Sequence, residues 1–131
     1  MQSATQDGAV SKASLWTGRI LSGLAVLLFV FGATFGLLKP AVAQQGFVHY
    51  GYRDGALIPI TIVELVCALV YAIPRTSVLG AILLTGYLGG ATATHVRVGE
   101  PFFPPIIMGI VVWLAIFLRD GRLRALIPLR R

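Results

Sequence analysis

The chain has 131 residues, of which 56% are hydrophobic and 12% are charged, and its formal net charge is +6. This composition is typical of an integral membrane protein and excludes an ordinary soluble domain. The basic residues flank apolar stretches and form no single patch, so we expect no nucleic-acid partner. The only cysteine, Cys67, excludes an internal disulfide and any mechanism that cycles two thiols within one chain.

Four apolar stretches predict four transmembrane helices. Each stretch reaches roughly 28 Å at about 1.5 Å per residue, close to the hydrocarbon thickness of about 30 Å. Backbone amides in lipid must find partners within their own segment, so we predict helices. The result is an all-α, four-transmembrane-helix bundle. In chain order it has a mobile tail at 1–18, helices at about 19–38, 56–73, 76–95 and 102–118, and a basic tail at 119–131.

The distribution of Lys and Arg predicts the orientation of the bundle. Eight basic residues precede the first helix, join the second to the third or follow the fourth, whereas three lie in the other two connections. Positive residues are retained in the cytoplasm, so both termini are predicted to be cytoplasmic. One alternative stays open, because Lys12, Arg19, the first apolar stretch and Ala41-Val42-Ala43 also resemble a cleavable secretory signal, whose removal would leave three helices.

The connections differ in length, and this difference carries structural information. Pro74-Arg75 permits only a tight turn, so the second and third helices are predicted to be antiparallel neighbours. The first connection, 39–54, is the only one long enough to cover a binding site.

Glu64 lies near the middle of the second predicted helix. An acidic group at mid-bilayer costs about 2.5 to 3.5 kcal/mol, so Glu64 is expected to face the bundle. It is interpreted either as a proton-relay or ligand-binding carboxylate, or as a protonated or paired residue that joins helices. Lys39, His95 and Arg97 reach the same half of the bundle and complete a predicted polar network. Alternatively, Arg97 is an interfacial anchor and His95 a helix-end residue.

Small residues predict close helix packing. Gly32 and Gly36 in the first helix, and Gly86 and Gly90 in the third, form G-x-x-x-G pairs, and Gly89 adds to the second pair. These surfaces suit packing within the bundle or a homodimer. The sequence contains no paired His/Cys spacing, nucleophile with a base, phosphate-binding loop or cofactor motif, so no metal, cofactor or catalytic residue is predicted.

Several segments carry a family resemblance. They are Ile62-Val63-Glu64-Leu65, Ile73-Pro74-Arg75-Thr76, the run from Leu79 to Arg97 that ends in Gly89-Gly90-Ala91-Thr92-Ala93-Thr94-His95-Val96-Arg97, and Arg119-Asp120-Gly121-Arg122-Leu123-Arg124. From about Arg19 to Arg124 the chain resembles the DoxX-like family of small bacterial membrane proteins. The resemblance implies a four-helix protein of the bacterial cytoplasmic membrane. The family is named after a subunit associated with a quinone-linked thiosulfate oxidation complex, and most members have no assigned activity.

Three functional hypotheses follow. The first is an accessory or structural subunit of a membrane redox or stress-response system, surrounded by lipid and bound to a membrane-protein partner or to a second copy. The second is a transporter or binder of a small lipophilic molecule that enters beneath the first connection. The third is a quinone-interacting oxidoreductase subunit in which His95 or Glu64 exchanges protons with the quinone.

Overall fold

A computed structural model describes residues 10–129, and every regular element in this range is helical. The all-α prediction is therefore confirmed for this part of the chain. The elements are α1 (Lys12–Leu38), α2 (Pro40–His49), α3 (Leu57–Ala72), a 3-10 turn (Pro74–Thr76), α4 (Ser77–Val98), α5 (Phe103–Arg119) and α6 (Gly121–Leu126). Residues 1–9 and 130–131, which belong to the two predicted tails, lie outside the described residues.

Residues 12–18, which the sequence assigns to a tail, form the beginning of α1. Ser11 caps this helix, because its side chain accepts a hydrogen bond from the Ser14 amide at 3.2 Å. The Ser14 hydroxyl donates to the carbonyl of Leu118 at 2.6 Å and thereby ties the start of α1 to the end of α5. The tail after α5 also contains a helix, α6, whose N-terminus is capped by Asp120.

The four long helices form a bundle in which each helix contacts two others. α1 packs against α3 and α5, and α4 packs against the same two helices. The start of α1 and the end of α5 lie together at one end of the bundle, called here the terminal end. His49 at the end of α2 contacts Glu100 before α5 at the opposite end, called here the loop end.

The outward face of α1 is more apolar than its buried face. Small residues such as Ser22, Ala25 and Gly36 point inward, whereas Leu27 and Phe31 are 65% and 70% exposed. A soluble helix has the reverse pattern, with its large apolar side chains inside. Lipid contact explains this arrangement, because lipid-exposed helices pack through small residues and turn large apolar residues to the hydrocarbon.

Two segments of the described chain are long and apolar enough to cross a membrane. They are α1 and the continuous segment Pro74–Val98, which contains α4. α3 and α5 are apolar but shorter. The helices thus have the composition of a membrane protein.

Two glycines that were not singled out from the sequence lie closest to a neighbouring helix among the glycines of the described chain. A Cβ atom on Gly80 of α4 would collide with the backbone of Tyr71 on α3 and lie 2.7 Å from the Tyr71 Cβ. A Cβ on Gly18 of α1 would lie 2.6 Å from the carbonyl oxygen of Ala115 on α5. The Tyr71 hydroxyl donates to the carbonyl of Val112 at 2.8 Å, so α3 is also fixed to α5.

Candidate functional site

A groove of about 450 Å³ opens between α3 and α4 at the loop end. We call it the aromatic groove. Its walls are mostly apolar or aromatic, and its polar groups are few. The lining residues are Pro59, Ile60 and Val63 of α3, Gly86, Tyr87, Gly90, Ala91, Thr94 and His95 of α4, and Phe47, Tyr50 and Tyr52 of α2 and the loop after it.

The helical repeat of α4 builds one wall of the groove. Residues four apart lie on one face of a helix, so α4 presents two adjacent stripes. The stripes are Gly86, Gly90 and Thr94, and Tyr87, Ala91 and His95. A Cβ atom added at Gly86 or Gly90 would meet no atom within 4 Å. The glycines therefore leave room for the groove.

The predicted packing glycines fall into two groups. An added Cβ on Gly32 would lie 3.3 Å from Glu64 Oε1, and one on Gly36 would lie 3.5 Å from Thr61 Oγ1, so these two glycines face α3 closely. Gly86, Gly89 and Gly90 contact no other helix at their Cβ positions. In the described residues this second group thus faces open space at its Cβ positions and not a neighbouring helix.

Aromatic residues of α2 and of the loop after it form the roof of the groove. The Tyr52 hydroxyl lies 2.8 Å from Thr94 Oγ1, which itself donates to the carbonyl of Gly90 at 2.8 Å. Because Thr94 uses its only proton in that bond, Tyr52 is the donor to Thr94. The rings of Phe47 and Tyr52 pack with their centres 5.2 Å apart. These contacts fix the roof to α4.

Arg97 and Lys39 do not join Glu64. The Arg97 guanidinium donates to the carbonyl of Tyr50 and lies 5.7 Å from the centre of the Tyr52 ring. It therefore holds the roof. The exposed residue Lys39 ends α1, and its amide donates to the carbonyl of Phe35 at 2.8 Å. Among residues 10–129, neither side chain forms an ion pair with Glu64.

Glu64 is partly buried between α1, α3 and α4. Its carboxyl group faces Gly32 of α1 and lies beside the Tyr87 phenol of α4. The Tyr87 ring also packs edge-on against Phe29, with the ring centres 6.4 Å apart. Tyr87 lines the aromatic groove, whereas Glu64 is not among its lining residues.

His95 lines the groove, and one of its ring nitrogens is bonded within α4. Its Nδ1 lies 2.7 Å from the carbonyl oxygen of Ala91, which can only accept, so Nδ1 carries a proton. In the neutral ring Nε2 is then a hydrogen-bond acceptor. No described residue hydrogen-bonds to Nε2, and the ring centre lies 5.4 Å from that of Tyr50. Of the four residues in the predicted network, only His95 lines the groove.

A second polar cluster, which the sequence analysis missed, lies at the rim of the groove. Glu100 Oε1 lies 2.7 Å from His49 Nε2, and the Tyr50 hydroxyl donates to Glu100 Oε2 at 3.1 Å. The hydrogen bond from His49 lowers the pKa of Glu100 below its ordinary value, and Tyr50 adds to this effect. Burial raises the pKa of Tyr50, with a further contribution from Glu100. The available signal was a histidine and an acid in connections predicted to share one side.

Comparison with known proteins identifies the family. The model of the DoxX-like family matches residues 20–118, which contain α2, α3 and α4, all of α5 but its last residue, and α1 from residue 20 onward. No curated protein and no solved structure matches the chain. The family and the apolar helices together indicate a membrane protein, and the resemblance found in the sequence is confirmed. The chain belongs to the DoxX-like family.

Proposed function

We propose that this protein crosses the bacterial cytoplasmic membrane four times and binds a small lipophilic molecule in the aromatic groove. The observation that carries the proposal is the groove itself. Small-molecule sites are typically concave spaces of about 300 to 1,000 Å³ with apolar walls and a few polar groups. A volume of about 450 Å³, aromatic walls and one histidine fit that description.

Helix lengths and charges support four crossings with both termini inside. α3 and α5 have 16 and 17 residues, so they reach about 24 and 26 Å, and modest local thinning of the bilayer accommodates them. Eight of the eleven Lys and Arg residues belong to the tails and the short turn at Arg75. A reporter enzyme that functions only in the cytoplasm is expected to be active when it is fused after residue 131. An external C-terminus would overturn the orientation.

The hydrogen bonds in the groove suggest which ligand fits. The hydroxyl protons of Tyr50, Tyr52 and Thr94 are already donated, to Glu100, Thr94 and Gly90 respectively. Nε2 of neutral His95 is an acceptor, so it pairs with a hydroxyl or N–H group. A hydroquinone donates such a bond, whereas a quinone only accepts. We therefore propose a lipophilic alcohol, phenol or hydroquinone as the ligand class.

We also propose that the chain serves as an accessory subunit of a membrane redox or stress-response system. A groove that holds a hydroquinone would suit such a subunit, because it would present a reduced carrier to a partner. Crosslinking in native membranes, followed by copurification, is expected to recover one partner with electron-transfer cofactors. Recovery of this chain alone, as monomer or homodimer, would exclude the accessory role and leave the binding proposal unaffected.

The ligand proposal is tested with two neighbouring glycines of α4. Gly90→Leu adds a side chain in the aromatic groove, whereas Gly89→Leu adds the same side chain on the face that α4 shares with α5. Neither added Cβ meets an atom within 4 Å, so both variants are expected to fold. Delipidated protein in detergent is titrated by calorimetry with a short-chain hydroquinone and with the corresponding quinone.

We expect Gly90→Leu to weaken hydroquinone binding about tenfold or more and Gly89→Leu to change it less than about twofold. His95→Phe keeps an aromatic ring and removes the hydrogen-bond acceptor. It should therefore reduce the preference for hydroquinone over quinone about fivefold, which corresponds to the net free energy of one hydrogen bond. Equal losses in the two glycine variants, or no binding to the wild-type protein, would refute the proposal.

A further inference from the structure

Two arginines lie close together at the terminal end, opposite the aromatic groove. Arg19 lies on α1 and Arg119 ends α5. Gly18 brings these helices together, since a Cβ added there would lie 3.0 Å from the Cβ of Arg119. Both arginines line the same two clefts, and the Arg19 guanidinium also lies 5.3 Å from the centre of the Trp16 ring.

No acidic side chain in the described part of the chain neutralises this pair. The ion pair found in residues 10–129 is that of His49 with Glu100 at the loop end. Asp120 adjoins Arg119, but its Oδ1 accepts the amides of Arg122 and Leu123 at 2.9 and 3.4 Å and caps α6. The buried Nε of Arg119 has no hydrogen-bond partner. The pair thus combines two positive charges with at least one unused donor.

The two clefts differ in chemistry and meet at the arginine pair. The first, of about 250 Å³, lies between α1, the start of α4 and the end of α5, and Ser77 and Asp120 contribute to it. The second, of about 400 Å³, follows α1 and α3 and is bordered by Gly23, Val26 and Leu27. A polar space therefore continues into an apolar one along a lipid-facing helix.

We propose that the arginine pair binds the phosphate group of an anionic phospholipid, whose acyl chain lies in the apolar cleft along α1. Guanidinium groups form paired, charge-assisted hydrogen bonds with phosphate oxygens, and basic pockets between transmembrane helices bind anionic headgroups. Free phosphate would bind the same guanidinium groups, but it has no acyl chain and would gain no binding energy from the apolar cleft. The combination of the two clefts favours the lipid. This inference requires only that the bundle lies in a membrane, and it does not depend on the ligand of the aromatic groove.

The test uses delipidated full-length protein in detergent, titrated with phosphatidylglycerol, phosphatidylcholine or inorganic phosphate and followed by native mass spectrometry. We expect one tightly bound phosphatidylglycerol per chain. Arg19→Gln combined with Arg119→Gln should weaken it about tenfold or more. Arg122→Gln removes the same charge from an exposed position at the same end and should have less than about a twofold effect. Weakening by Arg122→Gln as strong as that of the double variant would indicate general attraction to charge and overturn the site.

Gly23→Leu separates lipid from free phosphate. A Cβ added at Gly23 meets no atom within 4 Å, so leucine fills the apolar cleft without a collision in the bundle. Thermal unfolding is measured for each variant, so that a loss of binding is scored only in protein that folds as the wild type does. We expect Gly23→Leu to weaken phosphatidylglycerol about tenfold while leaving the arginine pair intact. Undiminished lipid binding in this variant, or saturation by inorganic phosphate that excludes the lipid, would refute the lipid site.

Discussion

Gly80→Ala is expected to destabilise the bundle through a single methyl group. The Cβ of alanine at this position would overlap the backbone of Tyr71, because α3 and α4 leave the tight turn at Pro74 in direct contact. Backbone atoms cannot move aside as a flexible side chain does, so the two helices must separate. Tyr71 is fully buried and hydrogen-bonded to Val112, and its displacement would also disturb the contact between α3 and α5.

The expected magnitude follows from two opposing effects. Overpacking in a close-packed core costs about 1 to 3 kcal/mol, and replacing glycine by alanine within a helix returns about 1 kcal/mol. Gly86→Ala on the same helix receives only the second effect, because its Cβ would meet no atom within 4 Å. The free energies of unfolding of the two variants should therefore differ by about 1 to 3 kcal/mol.

Unfolding of the detergent-purified variants by heat or by denaturing detergent measures this difference, with the wild-type protein in the same samples. We expect the order of stability to be Gly86→Ala, wild type, Gly80→Ala. If Gly80→Ala were as stable as Gly86→Ala, α3 and α4 would not pack as described, and the position of the aromatic groove between them would be wrong as well.

Two further predictions concern the polar groups of the loop end. Glu64→Gln and Arg97→Gln should have additive effects on thermal stability, with a coupling below about 0.5 kcal/mol, because Arg97 bonds to the roof; a coupling above about 1 kcal/mol would place it beside Glu64. The contact between Glu100 and His49 should be lost in acid, because folding lowers the pKa of Glu100 below its ordinary value of 4.5. The contact therefore stabilises the folded state fully at pH values above 4.5, and this stabilisation disappears as the pH falls through the lowered pKa. Hydrogen exchange of residues 46–52 should then increase on acidification in the wild type, and Glu100→Gln should show no such step.

The partners of single side chains were harder to predict than their positions. His95 and Arg97 follow one another closely on α4, but one lines the groove and the other bonds to the roof. The sequence contained no signal for this difference, because α2 and its loop supply the carbonyl of Tyr50 that Arg97 uses. Likewise, the spacing of Gly86 and Gly90 resembles that of Gly32 and Gly36, yet only Gly32 and Gly36 face another helix closely.

The sequence by itself determined the helical class, the membrane setting and the family. These properties follow from composition and from long apolar stretches, because backbone groups in lipid must be satisfied within each segment. Only the tertiary structure decided which glycines touch a neighbouring helix, that Tyr87 and not Glu64 lines the groove, and that Arg19 and Arg119 share two clefts. Such contacts depend on the rotation of each helix about its axis. That rotation is set by the combined packing of all four helices, to which the pattern within any one helix contributes only part.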